Sequence, residues 1–110
     1  KEKYDGPELR TAVHPIFRPH SETGRPTVYV NELMTESIEG LSESESRETL
    51  HEIFALQREK RFCYEHVWAK GDLVMWDNRC TLHARTDFPR KERRLLRRVT
   101  IEDSAPEAAI

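Results

Sequence analysis

The stretch Leu73-Val74-Met75-Trp76-Asp77-Asn78-Arg79-Cys80-Thr81-Leu82-His83 decides how this chain is read. Leu73 to Trp76 form an apolar run suited to a buried strand. Asp77-Asn78-Arg79 breaks that run, and Cys80-Thr81-Leu82-His83 resumes the strand pattern. A histidine thus ends a strand that follows a tight interruption. By itself such a histidine is more often structural or exposed than a metal ligand. Its neighbourhood must decide.

Upstream, Lys70-Gly71-Asp72 reads as a turn. Before it, Phe62, Tyr64, His66 and Trp68 fall on one face of a predicted strand, with Cys63, Glu65 and Val67 on the other. Downstream, residues 93–101 alternate again: Leu95, Val99 and Ile101 on one side, Arg94, Leu96, Arg98 and Thr100 on the other. Nearer the N-terminus, His14 precedes Pro15 and therefore avoids the helical region. His20 to Pro26 is dense in turn formers, and Thr27-Val28-Tyr29-Val30-Asn31 is β-branched and aromatic. Residues 14–31 are expected to form strand, turn, strand. One helix is predicted over roughly 43–58. Ser42 and Glu45 have capping-box spacing, and Leu50, Ile53, Phe54 and Gln57 make one stripe. Six strand-like stretches and one helix point to a mainly β fold.

The chain has 110 residues, 35% of them charged, with a net charge of −2. No apolar run approaches the ~20 residues a bilayer span needs, so no membrane association is expected. No signal peptide is visible, and Cys63 and Cys80 form neither a metal spacing nor a disulfide framework. A cytoplasmic setting is the simplest expectation. Residues 1–12 read as a polar lead-in with a turn at Asp5-Gly6-Pro7, and 104–110 as a frayed tail. Charge is uneven. Eight glutamates face only Arg47 and Arg58 between Glu32 and Glu59, whereas six arginines and Lys91 crowd the span from Arg85 to Arg98. Such blocks make either anion sites or solvated faces.

Arg94 and Arg98 are the sharpest physical clue. On a strand they project from one face, roughly 13 Å apart at ~3.3 Å per residue. Guanidinium forks bind carboxylates and sulfonates in paired geometry, so two aligned arginines can hold two different anions. An edge strand decorated with charge is the bland alternative. No aromatic RNA-binding motif accompanies the arginines, so no nucleic-acid partner is expected. His20-Ser21-Glu22 has the His-x-acid form of two iron ligands but lies in a turn-rich segment.

Trp76-Asp77-Asn78-Arg79, followed after three residues by His83, resembles the taurine dioxygenase family of iron(II)- and 2-oxoglutarate-dependent oxygenases. His14-Pro15-Ile16-Phe17-Arg18-Pro19-His20-Ser21-Glu22-Thr23-Gly24-Arg25 is similar to a second stretch of that family. Val28-Tyr29-Val30-Asn31, Gly40 to Ser46 and Arg93 to Arg98 also match in order. The resemblance covers roughly 13–103. It implies a double-stranded β-helix, or jelly roll, with an external helix, of which this chain is the C-terminal part.

The same resemblance implies the site. His83 corresponds to the distal Fe(II) ligand, Arg94 to the partner of the far carboxylate of 2-oxoglutarate, and Arg98 to the grip on an anionic substrate. Met34 falls where taurine dioxygenase has a pocket phenylalanine, which argues against taurine itself. His20-Ser21-Glu22 falls on a family turn that is not a metal site. The implied activity uses O2 and 2-oxoglutarate to hydroxylate a small sulfonate, sulfate ester or carboxylate, releasing succinate and CO2. No residue beyond the metal site is implied to be catalytic. The family's other two ligands come from an upstream His-x-Asp, and no His-x-Asp occurs here. The natural protein is therefore expected to extend upstream, and these residues alone to be inactive. A non-enzymatic jelly-roll binding module, or a metal-free fragment, is the rival expectation. The sequence leaves a homo-oligomer open.

Overall fold

The computed structural model describes residues 11–102. The expected turn at Asp5-Gly6-Pro7 and the tail over 104–110 lie outside them. The described residues fall into two units, 11–29 with 86–102, and 30–85.

In the 30–85 unit the chain is organised around α1, Glu43–Gln57, close to the predicted limits. The capping box forms as its spacing requires. Ser42 Oγ accepts the Glu45 N–H at 3.3 Å, and Glu45 Oε2 accepts the Ser42 N–H at 2.9 Å. Glu43 and Glu45 also place negative charge at the positive end of the helix dipole. At the far end Arg58 donates its backbone N–H to Phe54 and Ala55, both at 3.2 Å. A short 3-10 turn, Lys60–Phe62, follows.

Residues 30–38 run along α1 in the opposite direction as a strap. Gln57 Nε2 donates to the Val30 carbonyl at 3.0 Å, Arg58 pairs with Glu32, and the Ile38 N–H donates to Ser46 Oγ at 2.7 Å. Between strap and helix lies the small core: Val30, Ser46 and Leu50 are buried. The predicted stripe is confirmed, with Leu50 buried and Ile53, Phe54 and Gln57 half-buried. Fully burying one such aliphatic side chain is worth ~1.5–3 kcal/mol, so this core is thin.

In the other unit, β1 (Phe17–Pro19) pairs antiparallel with β2 (Pro26–Val28) in the register Phe17 to Val28, Arg18 to Thr27 and Pro19 to Pro26. Proline opposite proline leaves no N–H for the ladder on the loop side, which keeps the strands short. The loop is closed by His20 N–H to Arg25 O and Gly24 N–H to His20 O, both at 2.8 Å. Gly24 has φ +69°, a conformation that favours glycine. His20 Nδ1 accepts the N–H groups of Glu22 and Thr23, at 3.1 and 3.2 Å. That explains the His-x-acid pattern as turn chemistry.

The structure differs from the mainly β expectation. Among the described residues the paired strands are β1 and β2, and α1 holds more residues than both together. The stretches 62–68, 73–76, 80–83 and 93–101 form no ladder among the described residues, and Phe62 closes the 3-10 turn instead. Alternation tells which side chains share a face; it does not supply the neighbouring strand that a ladder needs. The alternation itself persists. Tyr64 and His66 lie 6.1 Å apart ring to ring, and His66 and Trp68 4.8 Å, as residues on one side of an extended chain. Leu73 is 88% and Val99 91% exposed, so the apolar faces read from sequence are uncovered. Cys63 and Cys80 are free thiols. No described helix is long and apolar enough to cross a membrane.

Candidate active site

The approach to His83 is shaped by Asp77. Its carbonyl accepts the Thr81 hydroxyl at 2.6 Å, the Thr81 N–H at 3.1 Å and the Cys80 N–H at 3.3 Å. Its carboxylate takes the Arg79 guanidinium as a fork, Nε on Oδ1 and Nη2 on Oδ2, both at 2.9 Å, and the Arg79 backbone N–H at 2.9 Å. Paired charge-assisted bonds of this kind fix orientation as well as adding energy. The turn read from sequence as a simple break is therefore a braced corner. Asn78 adds to it, its Oδ1 accepting the Trp76 indole N–H at 3.0 Å.

His83 is exposed, and its ring lies 5.0 Å from that of Trp76 at a 45° tilt. Neither imidazole nitrogen has a hydrogen-bond partner among the described residues, which leaves both available to a ligand. Met34 lies in a turn built on Asn31, whose Oδ1 accepts the N–H groups of Leu33 and Met34 at 3.2 and 2.9 Å. The Met34 side chain is exposed.

Arg94 and Arg98 belong to the other unit, with 86–102. The Arg94 guanidinium stands over the Phe88 ring, 5.6 Å from its centroid. Neither arginine makes an ion pair among the described residues, and both are exposed. Leu95 and Val99, on the other side of the alternation, are also exposed.

Two features escaped the sequence reading. Tyr64 Oη, His66 and Asp72 form a chain, 3.1 Å to His66 Nδ1 and 3.0 Å from Nε2 to Asp72 Oδ2. The Ala69 N–H donates to the same Asp72 oxygen at 2.9 Å. That bond first, and His66 second, hold the Asp72 carboxyl below its ordinary value. The i,i+2 spacing of Tyr64 and His66 was the available signal; the reach of Asp72 back across Gly71 was not visible. The second is an open groove of ≈ 300 Å³ between residues 35–37 and α1, floored by Leu50 and Phe54. None of the residues expected at the site lines it.

The sequence profile of the taurine catabolism dioxygenase TauD, TfdA family matches residues 2–100. This chain belongs to that family. Among curated relatives it is 45% identical over 103 residues to a pentalenolactone F synthase of Streptomyces avermitilis, covering 92% of this chain and 34% of that protein. It is 40% identical over 91 residues to an alpha-ketoglutarate-dependent 2,4-dichlorophenoxyacetate dioxygenase of Cupriavidus pinatubonensis, covering 83% and 31%. It is also 33% identical over 108 residues to an (S)-phenoxypropionate/alpha-ketoglutarate-dioxygenase of Sphingobium herbicidovorans, covering 97% and 36%. The chain spans about a third of the length of the relatives it matches. No solved structure gives a significant match.

Proposed function

We propose that this chain is the C-terminal part of an Fe(II)- and 2-oxoglutarate-dependent dioxygenase acting on a small anionic compound. The observation that carries the proposal is His83: exposed, its ring seated against Trp76, both nitrogens without hydrogen-bond partners among the described residues. An imidazole ligates through a ring nitrogen whose lone pair no hydrogen bond occupies. The donor set fits iron(II) in part. One imidazole is one donor of the two-His-one-carboxylate triad, and the chain has no His-x-Asp to supply the others. We assign those two ligands to sequence outside these residues.

Bound iron would supply the oxygen chemistry, coupling decarboxylation of 2-oxoglutarate to succinate with hydroxylation of a substrate C–H bond. The chain's own residues bind and orient. Arg94, its guanidinium carbon 5.6 Å from the Phe88 ring centroid, takes the distal carboxylate of 2-oxoglutarate through its N–H groups. Arg98 takes the anionic group of the substrate, and Met34 contributes to the pocket wall. The relatives named for phenoxyacetate and phenoxypropionate act on carboxylates, and a further relative 30% identical over 92 residues is named an alkylsulfatase of Acinetobacter baylyi. Those names support an anionic substrate and favour an enzyme over a binding module. The ladder-less stretches 62–68, 73–76, 80–83 and 93–101 would join a jelly roll in the intact protein, covering faces such as Leu73 and Val99.

His83→Ala tests the reading. In the intact protein it is expected to abolish stoichiometric Fe(II) binding and 2-oxoglutarate-dependent succinate release together, with the circular dichroism spectrum retained. Normal succinate release by His83→Ala would overturn it.

A further inference from the structure

We propose that Asn78 is a positioning residue for the His83 imidazole, acting through Trp76. The inference rests on the reading of His83 as a metal ligand and deepens it. A ligating histidine is ordinarily oriented by donating its second ring N–H to a carboxylate, a carbonyl or water. Among the described residues His83 has no such partner. What touches its ring is the Trp76 indole, 5.0 Å away at a 45° tilt.

Trp76 is itself 40% exposed, so burial alone does not hold its ring. Its indole N–H donates to Asn78 Oδ1 at 3.0 Å, and that bond removes the ring's freedom to rotate about χ2. The indole nitrogen can only donate, so the amide of Asn78 must present its oxygen. Asn78 in turn stands in the corner braced by Asp77, with Arg79 held on the carboxylate and Thr81 on the carbonyl. Orientation thus passes from corner to Asn78, to indole, to imidazole. Without the Asn78 oxygen the indole turns, and the imidazole lone pair is no longer fixed in direction.

The test is a titration of the intact protein with Co(II), an oxygen-stable probe of the iron site, read by its absorption spectrum. Asn78→Leu removes the acceptor at similar size, and Asn78→Asp keeps it. Trp76→Phe keeps a ring face but deletes the N–H, and covers the case in which Asn78→Leu does not fold. Asn78→Leu and Trp76→Phe are each expected to weaken Co(II) binding roughly tenfold, the low end for partners beyond the ligands themselves. Asn78→Asp is expected within about twofold of the parent, and Asn78→Leu with Trp76→Phe should be no worse than either alone. If Asn78→Leu and Trp76→Phe bind like the parent while His83→Ala does not bind, the positioning role falls and the ligand stands. If His83→Ala binds as tightly as the parent, the ligand reading falls and the inference with it.

Discussion

Residues 30–58 and residues 63–83 belong to one unit, yet they are held in different ways. The first region satisfies itself. Its helix is capped by Ser42 and Glu45, strapped by bonds to Val30 and Ile38, and closed over Leu50, which is 5% exposed. The second is ordered by two backbone turns, at 69–72 and 77–81, and by side chains: the Tyr64-His66-Asp72 chain and the Asp77-Arg79 fork. No ladder runs through it among the described residues, and Leu73, Met75 and Val67 are exposed. A helix closes its hydrogen bonds within four residues, so its stability is local. A strand depends on a neighbour, and its sequence advertises a face that only another segment can cover.

The largest effect is expected at Leu50. Leu50→Ala is expected to cost about 2–5 kcal/mol, the range for emptying a buried aliphatic site, and to show as loss of the helical signal at 222 nm during thermal unfolding of the 110-residue chain. Leu73→Ala in the same chain should stay within ~0.5 kcal/mol, as for surface substitutions. An equal cost at both positions would mean that 73–76 is packed as firmly as the helix.

A smaller effect sharpens the same contrast at the helix start. Ser42→Ala should cost about 1 kcal/mol of helix stability, measured by urea unfolding. Both bonds from Ser42 hold the Glu45 carboxyl below its ordinary value of 4.5. A depressed carboxyl stabilises the fold above its unfolded value and loses that contribution as pH falls through the folded one. Acidification below about pH 4.5 should therefore loosen the parent helix start, and Ser42→Ala, which keeps the backbone N–H but not the hydroxyl, should lose the larger, side-chain share of this acid response.

What the sequence disclosed follows the same division. The capping box and the stripe from Leu50 to Gln57 were legible because every partner lies within a few residues. The hairpin was legible from its turn formers, although the facing prolines, Pro19 and Pro26, shortened it. The remaining strands were legible as faces only, because no local pattern says whether a neighbour is present. At the site, His83, Arg94 and Arg98 came from motif spacing. The Trp76-Asn78 bond and the Phe88 ring under Arg94 did not, since both depend on side-chain directions that spacing leaves open.

We propose that Arg94 and Arg98, four residues apart in the 93–101 stretch, act as two separate anion grips. Saturation curves for 2-oxoglutarate and for the primary substrate, on Arg93→Ala, Arg94→Ala, Arg97→Ala and Arg98→Ala of the intact protein, test it directly. Removing a charged hydrogen-bonding partner costs about 1.5–3 kcal/mol, or roughly ten- to a hundredfold in affinity. Arg94→Ala is predicted to raise the KM for 2-oxoglutarate by that factor and Arg98→Ala the KM for the anionic substrate, with Arg93→Ala and Arg97→Ala near the parent on both curves. Equal losses from all four would contradict the claim and reduce the cluster to general positive charge.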